Sequence, residues 1–221
     1  HLLDEIRKAF TEGNQEKAEM LTRQNFNSEV SYDADGETPF RFGSFTTMGE
    51  FYVETGLNII GMSDYKRILS LDSAMAVVQF KKDHVAYQRN YFISYPANVM
   101  VMRFSADQPG KQNLVFSYAP NPVSTGNMAS DGNKGLVYSA SLDNNGMKYV
   151  VRIQAETKGG TLFNADGKLT VKGADEVVFY ITADTDYKPN FDPDFKDPKT
   201  YVGVNPEETT KEWMNNAVSQ G

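Results

Sequence analysis

Histidines and paired carboxylates are the side chains in this sequence best suited to acid–base or metal chemistry. The chain has only two histidines, and His84 lies in the polar stretch 81–84, where an exposed turn is the ordinary outcome. As the base of a catalytic triad it would need a presented serine, and the sequence contains no Gly-x-Ser-x-Gly elbow. A histidine-based zinc site is nearly excluded, because carboxylates would have to supply the other ligands. The sequence therefore predicts no catalytic histidine.

Acidic residues form further groups that could do chemistry. Asp184 and Asp186 stand near a strand end and could act as the carboxylate pair of a glycosidase. The acids of segments 33–37 and 192–197 could hold a hard cation, but neither segment has the full spacing of a calcium loop. Because the chain contains 29 acids, chance pairs are common. We therefore predict strand-end loops and solvated turns here, with no catalytic, metal-binding or cofactor-binding residues.

Composition excludes several classes of function. The 221 residues carry 22 Lys and Arg against 29 Asp and Glu, a net charge of −7, whereas a sequence-independent nucleic-acid binder needs a basic face. No apolar run approaches the roughly 18 residues of a membrane span. Cysteine is absent, which excludes disulfides, thiolate metal sites and a cysteine nucleophile. We expect no nucleic-acid partner, no membrane span and no cofactor.

Periodicity predicts the elements that would position any site. Residues 1–27 have apolar positions at helical spacing, broken at Gly13, and predict two short helices, the second capped by Asn14. Residues 28–187 alternate with period two between turn pairs such as Asn145-Gly146, which is typical of antiparallel strands. The sequence therefore predicts a mainly β fold, a large antiparallel β-sandwich preceded by a helical segment.

Two kinds of strand pattern indicate which faces of the sheets are covered. Segment 147–155 alternates apolar and polar residues and predicts a half-buried strand, with Arg152 on the solvent side. Segments 99–104 and 177–181 are apolar on both faces and should lie between two layers. Burial on both faces favours a large sandwich with a further element packed outside it.

Residues 188–221 predict a linker followed by a C-terminal helix. Asn205 followed by Pro206 is a typical helix start. The apolar face of that helix contains Trp213 and Met214, which we expect to be exposed in the isolated chain. The helix would then lead toward, and contact, a further domain.

The densest motif runs through the first half of the strand region. Three arginines stand beside aromatic residues on strand patterns, which suits ion pairs and ring stacking that tie layers together. The same residue types also bind sugars, so a sugar-binding face is the alternative; the structural interpretation is favoured. The motif residues are Tyr65, Arg67, Tyr87, Arg89, Phe92, Arg103, Asp107 and Gly110.

This motif resembles the N-terminal β-domain of glycoside hydrolase family 95, the family of inverting α-L-fucosidases with some α-L-galactosidases. The resemblance rests on Val-x-Tyr-x-Arg at 85–89 and on Val-x-Val-x-Arg-x-Ser-Ala-Asp-x-Pro-Gly at 99–110, and it spans most of the chain. Ser70, Asn90 and Tyr95 depart from the family's usual Asp, Glu and Pro. These departures concern subfamily and substrate rather than fold.

The resemblance implies a non-catalytic domain of a glycosidase. In that family an (α/α)6 barrel carries the catalytic residues, so no catalytic position transfers to this chain, and whether the chain alone is an enzyme stays open. The domain would brace the barrel and shape the rim of its active site, oligosaccharide substrate would bind through the barrel, and the enzyme would be secreted or periplasmic. The alternative is a stand-alone, lectin-like carbohydrate-binding sandwich, which would normally end near Tyr187.

Overall fold

The computed structural model describes residues 2–26, 46–143, 145–192, 197 and 199–220. These residues belong to two units, one up to Phe45 and one from Thr46 onward. The helices are α1 (Leu2–Thr11), α2 (Gln15–Phe26) and α3 (Pro206–Gln220). The strands are β1 (Gly49–Glu54), β2 (Ser63–Ser70), β3 (Met75–Lys82), β4 (Val85–Ser94), β5 (Val99–Ala106), β6 (Gln112–Pro120), β7 (Ser124–Asp131), β8 (Gly135–Leu142), β9 (Lys148–Lys158), β10 (Thr161–Ala165), β11 (Lys168–Ala174) and β12 (Glu176–Thr185). The mainly β fold is confirmed.

The first unit is the predicted pair of short helices. Gly13 has a φ of +73° and ends the first helical pattern, since a left-handed residue cannot continue a right-handed helix. The Asn14 side-chain oxygen then accepts a hydrogen bond of 3.1 Å from the Lys17 amide, which caps α2 as predicted. The contact between the two helices buries three small or apolar side chains, Ile6, Ala9 and Ala18.

The second unit is built from two antiparallel sheets. The small sheet has the strand order β1-β6-β11-β10, and the large sheet has the order β2-β3-β4-β5-β12-β9-β8-β7. We call the face of the large sheet that meets the small sheet its inner face, and the opposite face its outer face. This arrangement is the predicted β-sandwich.

The main core fills the space between the small sheet and the middle of the large sheet. Phe179 lies at its centre, 4.7 Å from the Phe116 ring in a stacked arrangement and 5.9 Å from the Phe104 ring edge-on. Alternate residues of β9 contribute fully buried side chains, as the 147–155 pattern predicted for one face of that strand. The buried β9 members of this core are Tyr149, Val151, Ile153 and Ala155.

Helix α3 covers the outer face of the same strands. Val99, Val101 and Tyr180 turn their side chains to that face and are buried against the helix. The prediction that segments 99–104 and 177–181 lie between two layers is thus confirmed. The prediction that Met214 is exposed is wrong for the same reason. Met214 is only 1% exposed because it packs on these strands, while Trp213 is half-buried.

Arg152 was predicted to face solvent from β9, and this is also wrong. Its side chain is 5% exposed because the first turn of α3 covers it. The guanidinium binds Glu207 at 2.9 Å and pairs with Asp131, while Ser139 donates a hydrogen bond of 2.9 Å to the same glutamate. The two carboxylates compensate the buried charge and fix the start of the helix on the sheet.

The start of α3 is the one predicted from the sequence. The Asn205 side-chain oxygen accepts a hydrogen bond of 3.2 Å from the Glu207 amide, beside Pro206 in the first turn. One turn further on, the Thr182 hydroxyl of β12 donates to the Thr210 carbonyl at 3.1 Å. No described helix is long and apolar enough to cross a membrane.

Strands β2, β3 and β4 extend the large sheet beyond this covered part, and we call them the overhang. Seven of the eight residues of β2 are exposed, which shows that neither face of that edge strand is covered by the described chain. Tyr91 and Arg89 of the overhang reach the main core, where both contact Phe104. The overhang carries many of the motif residues and is therefore the part of the molecule in which to look for a site.

Candidate functional site

The eight motif residues lie in three separate places. Cross-strand register places Arg67, Val78, Arg89 and Phe104 directly opposite one another, so that the two arginines share the inner face of the overhang. Tyr65 and Tyr87 lie on that face as well, because side chains alternate along each strand. Phe92 and Arg103 lie on the outer face, whereas Asp107 and Gly110 follow β5 in a turn. The structure therefore does not bring the motif together into one pocket.

On the inner face, Arg89 is held between aromatic rings. Its guanidinium carbon lies 5.1 Å from the centre of the Phe80 ring and 5.7 Å from that of Phe104. Tyr87 stacks on Phe80 with the ring centres 5.1 Å apart. Burial raises the pKa of the neighbouring Tyr91, and the positive charge of Arg89 works in the opposite direction. This is the stacking role favoured from the sequence.

On the outer face, Arg103 forms an ion pair with Glu176 of β12. This contact ties β5 to its neighbour, as predicted for an arginine on a strand. Phe92 is partly buried in the apolar cluster beneath α3. Arg67, by contrast, is exposed on the edge strand and has no ion pair within the described chain.

Asp107 and Gly110 build the turn after β5. The Asp107 carboxylate accepts a hydrogen bond of 2.9 Å from the Ala86 amide, and its own amide donates to the Ala86 carbonyl at 3.0 Å. Gly110 has a φ of +71°, and its amide donates to Asp175 at 2.7 Å. Both residues hold the chain where it leaves the large sheet, which is a structural role.

One end of the overhang exposes a group of large apolar side chains. Leu69 and Tyr91 lie on the same cross-strand row with only the small Ala76 between them, and Ile93 follows two residues beyond Tyr91 on the same face. The turns at this end add two more apolar residues. The exposed members, which we call the apolar end, are Leu69 (71% exposed), Leu71 (84%), Ile93 (72%) and Tyr95 (88%).

The outer face of the overhang carries a set of amides that the sequence analysis did not single out. Gln79 donates to the Gln88 side-chain oxygen at 2.9 Å, and Gln88 donates in turn to Asn90 at 3.0 Å. Gln79 and Gln88 line an open groove of about 510 Å³. The i, i+2 spacing of Gln88 and Asn90 in the sequence places both amides on one face of a strand. Their proximity to Gln79 depends on the strand register, which the sequence does not show.

The remaining sequence candidates have structural positions. His84 is exposed in the tight turn between β3 and β4 with a φ of +62°, as expected. Asp186 is 6% exposed and accepts a hydrogen bond of 2.9 Å from the Lys148 amide, while Asp184 accepts one of 2.8 Å from Thr185. Segment 33–37 lies outside the described residues, as does Asp194 of segment 192–197. Within the described ranges, no group of three or more His, Cys, Asp or Glu could hold a metal ion.

The chain is similar to parts of two known proteins. The "Probable alpha-fucosidase A" of Aspergillus niger is 28% identical over 163 residues, which cover 69% of this chain and 20% of that protein. A solved structure, "Putative kojibiose phosphorylase from human microbiome", aligns with a TM-score of 0.47 and 10% identity over 77% of this chain and 24% of its own length. The chain thus spans about a fifth to a quarter of these two proteins.

The family is defined by a match over most of the chain. Residues 1–190 match the model described as "Glycosyl hydrolase family 65, N-terminal domain". The predicted likeness to the N-terminal domain of a larger glycoside hydrolase is thereby confirmed, whereas assignment to family 95 stays a prediction. The chain belongs to the N-terminal domains of glycosyl hydrolase family 65.

Proposed function

We propose that this chain is the non-catalytic N-terminal β-sandwich of a longer glycoside hydrolase that acts on α-L-fucosides, as family 95 enzymes do. Its overhang would brace the catalytic (α/α)6 domain and shape the rim of the active site. Family membership and the identity shared with an α-fucosidase support this proposal. The hydrogen bonds of Asp184 and Asp186 to backbone amides also fit a structural rather than a catalytic role for these carboxylates.

The apolar end of the overhang is the observation that carries the bracing role. Single exposed apolar residues are ordinary, but several on adjacent strands and turns make a patch of the kind that usually contacts another protein surface. Elsewhere in the large sheet the comparable apolar positions are buried by the small sheet or by α3. A second domain of the same protein would complete this coverage at the end where it is missing.

The first experiment is the intact mass of the native gene product in its source cells. We expect a mass well above the 24.7 kDa of this chain, together with hydrolysis of an aryl α-L-fucoside by the complete product and none by residues 1–221 alone. A native mass near 24.7 kDa, or a complete product without α-L-fucosidase activity, would contradict the proposal. Fractionation of the same cells tests the accompanying proposal that the enzyme is secreted or periplasmic.

The second experiment tests the apolar end with a matched pair of substitutions. Ile93 is 72% exposed at the apolar end, and Ile60 is 75% exposed in the loop before β2. We expect Ile93→Ser to lower the melting temperature of the complete enzyme, since an isoleucine buried at an interface contributes about 1.5–3 kcal/mol. It should not lower that of the isolated chain. Ile60→Ser should change neither, and equal effects of the two substitutions would contradict the bracing role.

A further inference from the structure

A continuous line of polar side chains crosses the outer face of the large sheet beside α3. It links six strands through directly opposed residues, which all turn their side chains to the same face. Because neighbouring strands lie about 4.8 Å apart, the line is roughly 24 Å long. In order from the sheet edge, its members are Lys66, Gln79, Gln88, Ser105, Glu176 and Lys158.

The amides on this line have a fixed orientation. Gln79 donates to Gln88, and Gln88 donates to Asn90 on the same strand, so that each bond sets the direction of the next amide. This leaves the side-chain oxygen of Gln79 as an acceptor and the second N–H of the Gln88 side chain as a donor, and both residues line the groove. An amide oxygen can accept two hydrogen bonds and an amide NH₂ can donate two, so the bonded groups keep capacity for a ligand.

The charges that line the groove are balanced. Lys66 and Lys81 stand against Asp64 and Asp107, and Lys81 pairs with Asp64 at 2.8 Å. The hydrogen bond from Lys81 holds the pKa of Asp64 below its usual value, so this pair stays ionised at neutral pH. The groove therefore has no excess of one sign that would favour a polyanion or a polycation.

The size of the groove suits a ligand of several rings. Its volume of about 510 Å³ lies within the usual range of small-molecule sites, and Gln79, Gln88 and Ser105 are among its lining residues. A surface that offers fixed donors and acceptors in alternation is matched by a ligand whose groups can both donate and accept. Hydroxyl groups have that property, and a chain of sugar rings presents them along a line.

We propose that this groove, which we call the amide groove, is a binding site for a neutral oligosaccharide. The site lies on the outer face of the overhang, whereas Arg89 lies on its inner face. It is a property of the chain itself and does not depend on the α-fucosidase assignment. In a longer enzyme it would hold part of a glycan on the N-terminal domain, away from any catalytic centre.

The test is calorimetric titration of the 221-residue chain with three defined probes. The neutral probes are 2′-fucosyllactose and maltotetraose, and the acidic probe is tetragalacturonate. We expect saturable binding of at least one neutral probe at millimolar concentration and weaker binding of the acidic one. No saturable binding of either neutral probe, or a preference for tetragalacturonate, would overturn the proposal.

Matched glutamine substitutions locate the binding. Gln88→Leu removes the central amide of the relay and should weaken binding about tenfold or more, because it deletes a donor and an acceptor together. Gln154→Leu changes a half-buried glutamine on the same outer face, about 13 Å along β9 from Lys158, and should leave the affinity unchanged. Equal weakening by both variants would overturn the assignment of the groove.

A second variant keeps the test valid if Gln88→Leu does not fold, as judged by its melting curve. Ser105→Ala removes one hydroxyl from the groove lining and leaves the amide relay intact. It should weaken binding several-fold without changing the melting temperature, and unchanged affinity would count against the groove. These variants should leave α-fucoside hydrolysis by the complete product unchanged. A failure of the groove proposal can therefore be distinguished from a failure of the proposed function.

Discussion

The large sheet has two regions with the same strand chemistry and opposite surroundings. Over β5, β12, β9 and β8, the small sheet covers the inner face and α3 crosses the outer face. Along β2 the described chain covers neither face, and the residues of β3 and β4 are mostly half-buried. The comparison shows that a strand's own sequence sets which residues share a face, while elements distant in sequence decide whether that face is buried.

The two regions also differ in the burial and pairing of their arginines. Arg152 in the covered region is 5% exposed and is bound by two carboxylates from other elements. Arg67 in the overhang is exposed and has no ion pair with any described residue. A buried charge must be compensated within the chain, whereas an exposed charge can remain hydrated or pair with a group of another protein surface.

The largest expected difference between the two regions is the free energy of unfolding that is lost when a leucine is replaced by alanine. Leu136 of β8 is 0% exposed, and Leu136→Ala should lower the free energy of unfolding by about 2–5 kcal/mol because it opens a cavity in the core. Leu69 of β2 is 71% exposed, and Leu69→Ala should change it by less than about 0.5 kcal/mol. Denaturant unfolding of the 221-residue chain measures both values. A cost at Leu69 similar to that at Leu136 would mean that the overhang is covered after all.

The next largest difference concerns the two arginines. Arg152→Met should cost about 1.5–3 kcal/mol, because it removes charge-assisted hydrogen bonds to Asp131 and Glu207 and frees the first turn of α3. Arg67→Met should stay within about 0.5 kcal/mol. Urea titrations followed by the fluorescence of Trp213, which lies on α3, report the helix directly. If the Trp213 fluorescence of Arg152→Met stays unchanged at urea concentrations below the unfolding transition, the helix is held by its apolar face alone.

Local patterns were sufficient for the elements and for the direction of side chains. The alternation in 147–155, the two-sided apolar segment 99–104 and the Asn205 cap all give the observed structure, because each depends on a few consecutive residues. The motif arginines were correctly assigned to stacking and pairing at Arg89 and Arg103 for the same reason.

Coverage could not be predicted in the same way. The burial of Arg152 follows from a helix that begins more than fifty residues later, and the burial of Met214 follows from strands far earlier in the chain. The amide groove depends on the register that places Gln79 opposite Gln88. In each case the decisive contact is long-range, and no local pattern specifies it.

The smallest expected effect is the change in stability with pH that a buried tyrosine hydroxyl causes. Tyr118 lies on β6 of the small sheet, which covers the inner face of the first region. Its hydroxyl donates to the Met48 carbonyl at 2.5 Å, and burial raises the pKa of that hydroxyl above its usual value. Below the unfolded-state pKa of about 10 both states keep the proton, and above it only the native state does, so stability falls as the pH rises further. Tyr118→Phe should cost about 1 kcal/mol at pH 7 and flatten this decline above pH 10. The slope is measured by urea unfolding of the wild-type chain and of the variant between pH 8 and pH 11. An unchanged slope in Tyr118→Phe would show that burial of this hydroxyl contributes nothing to the pH dependence of stability.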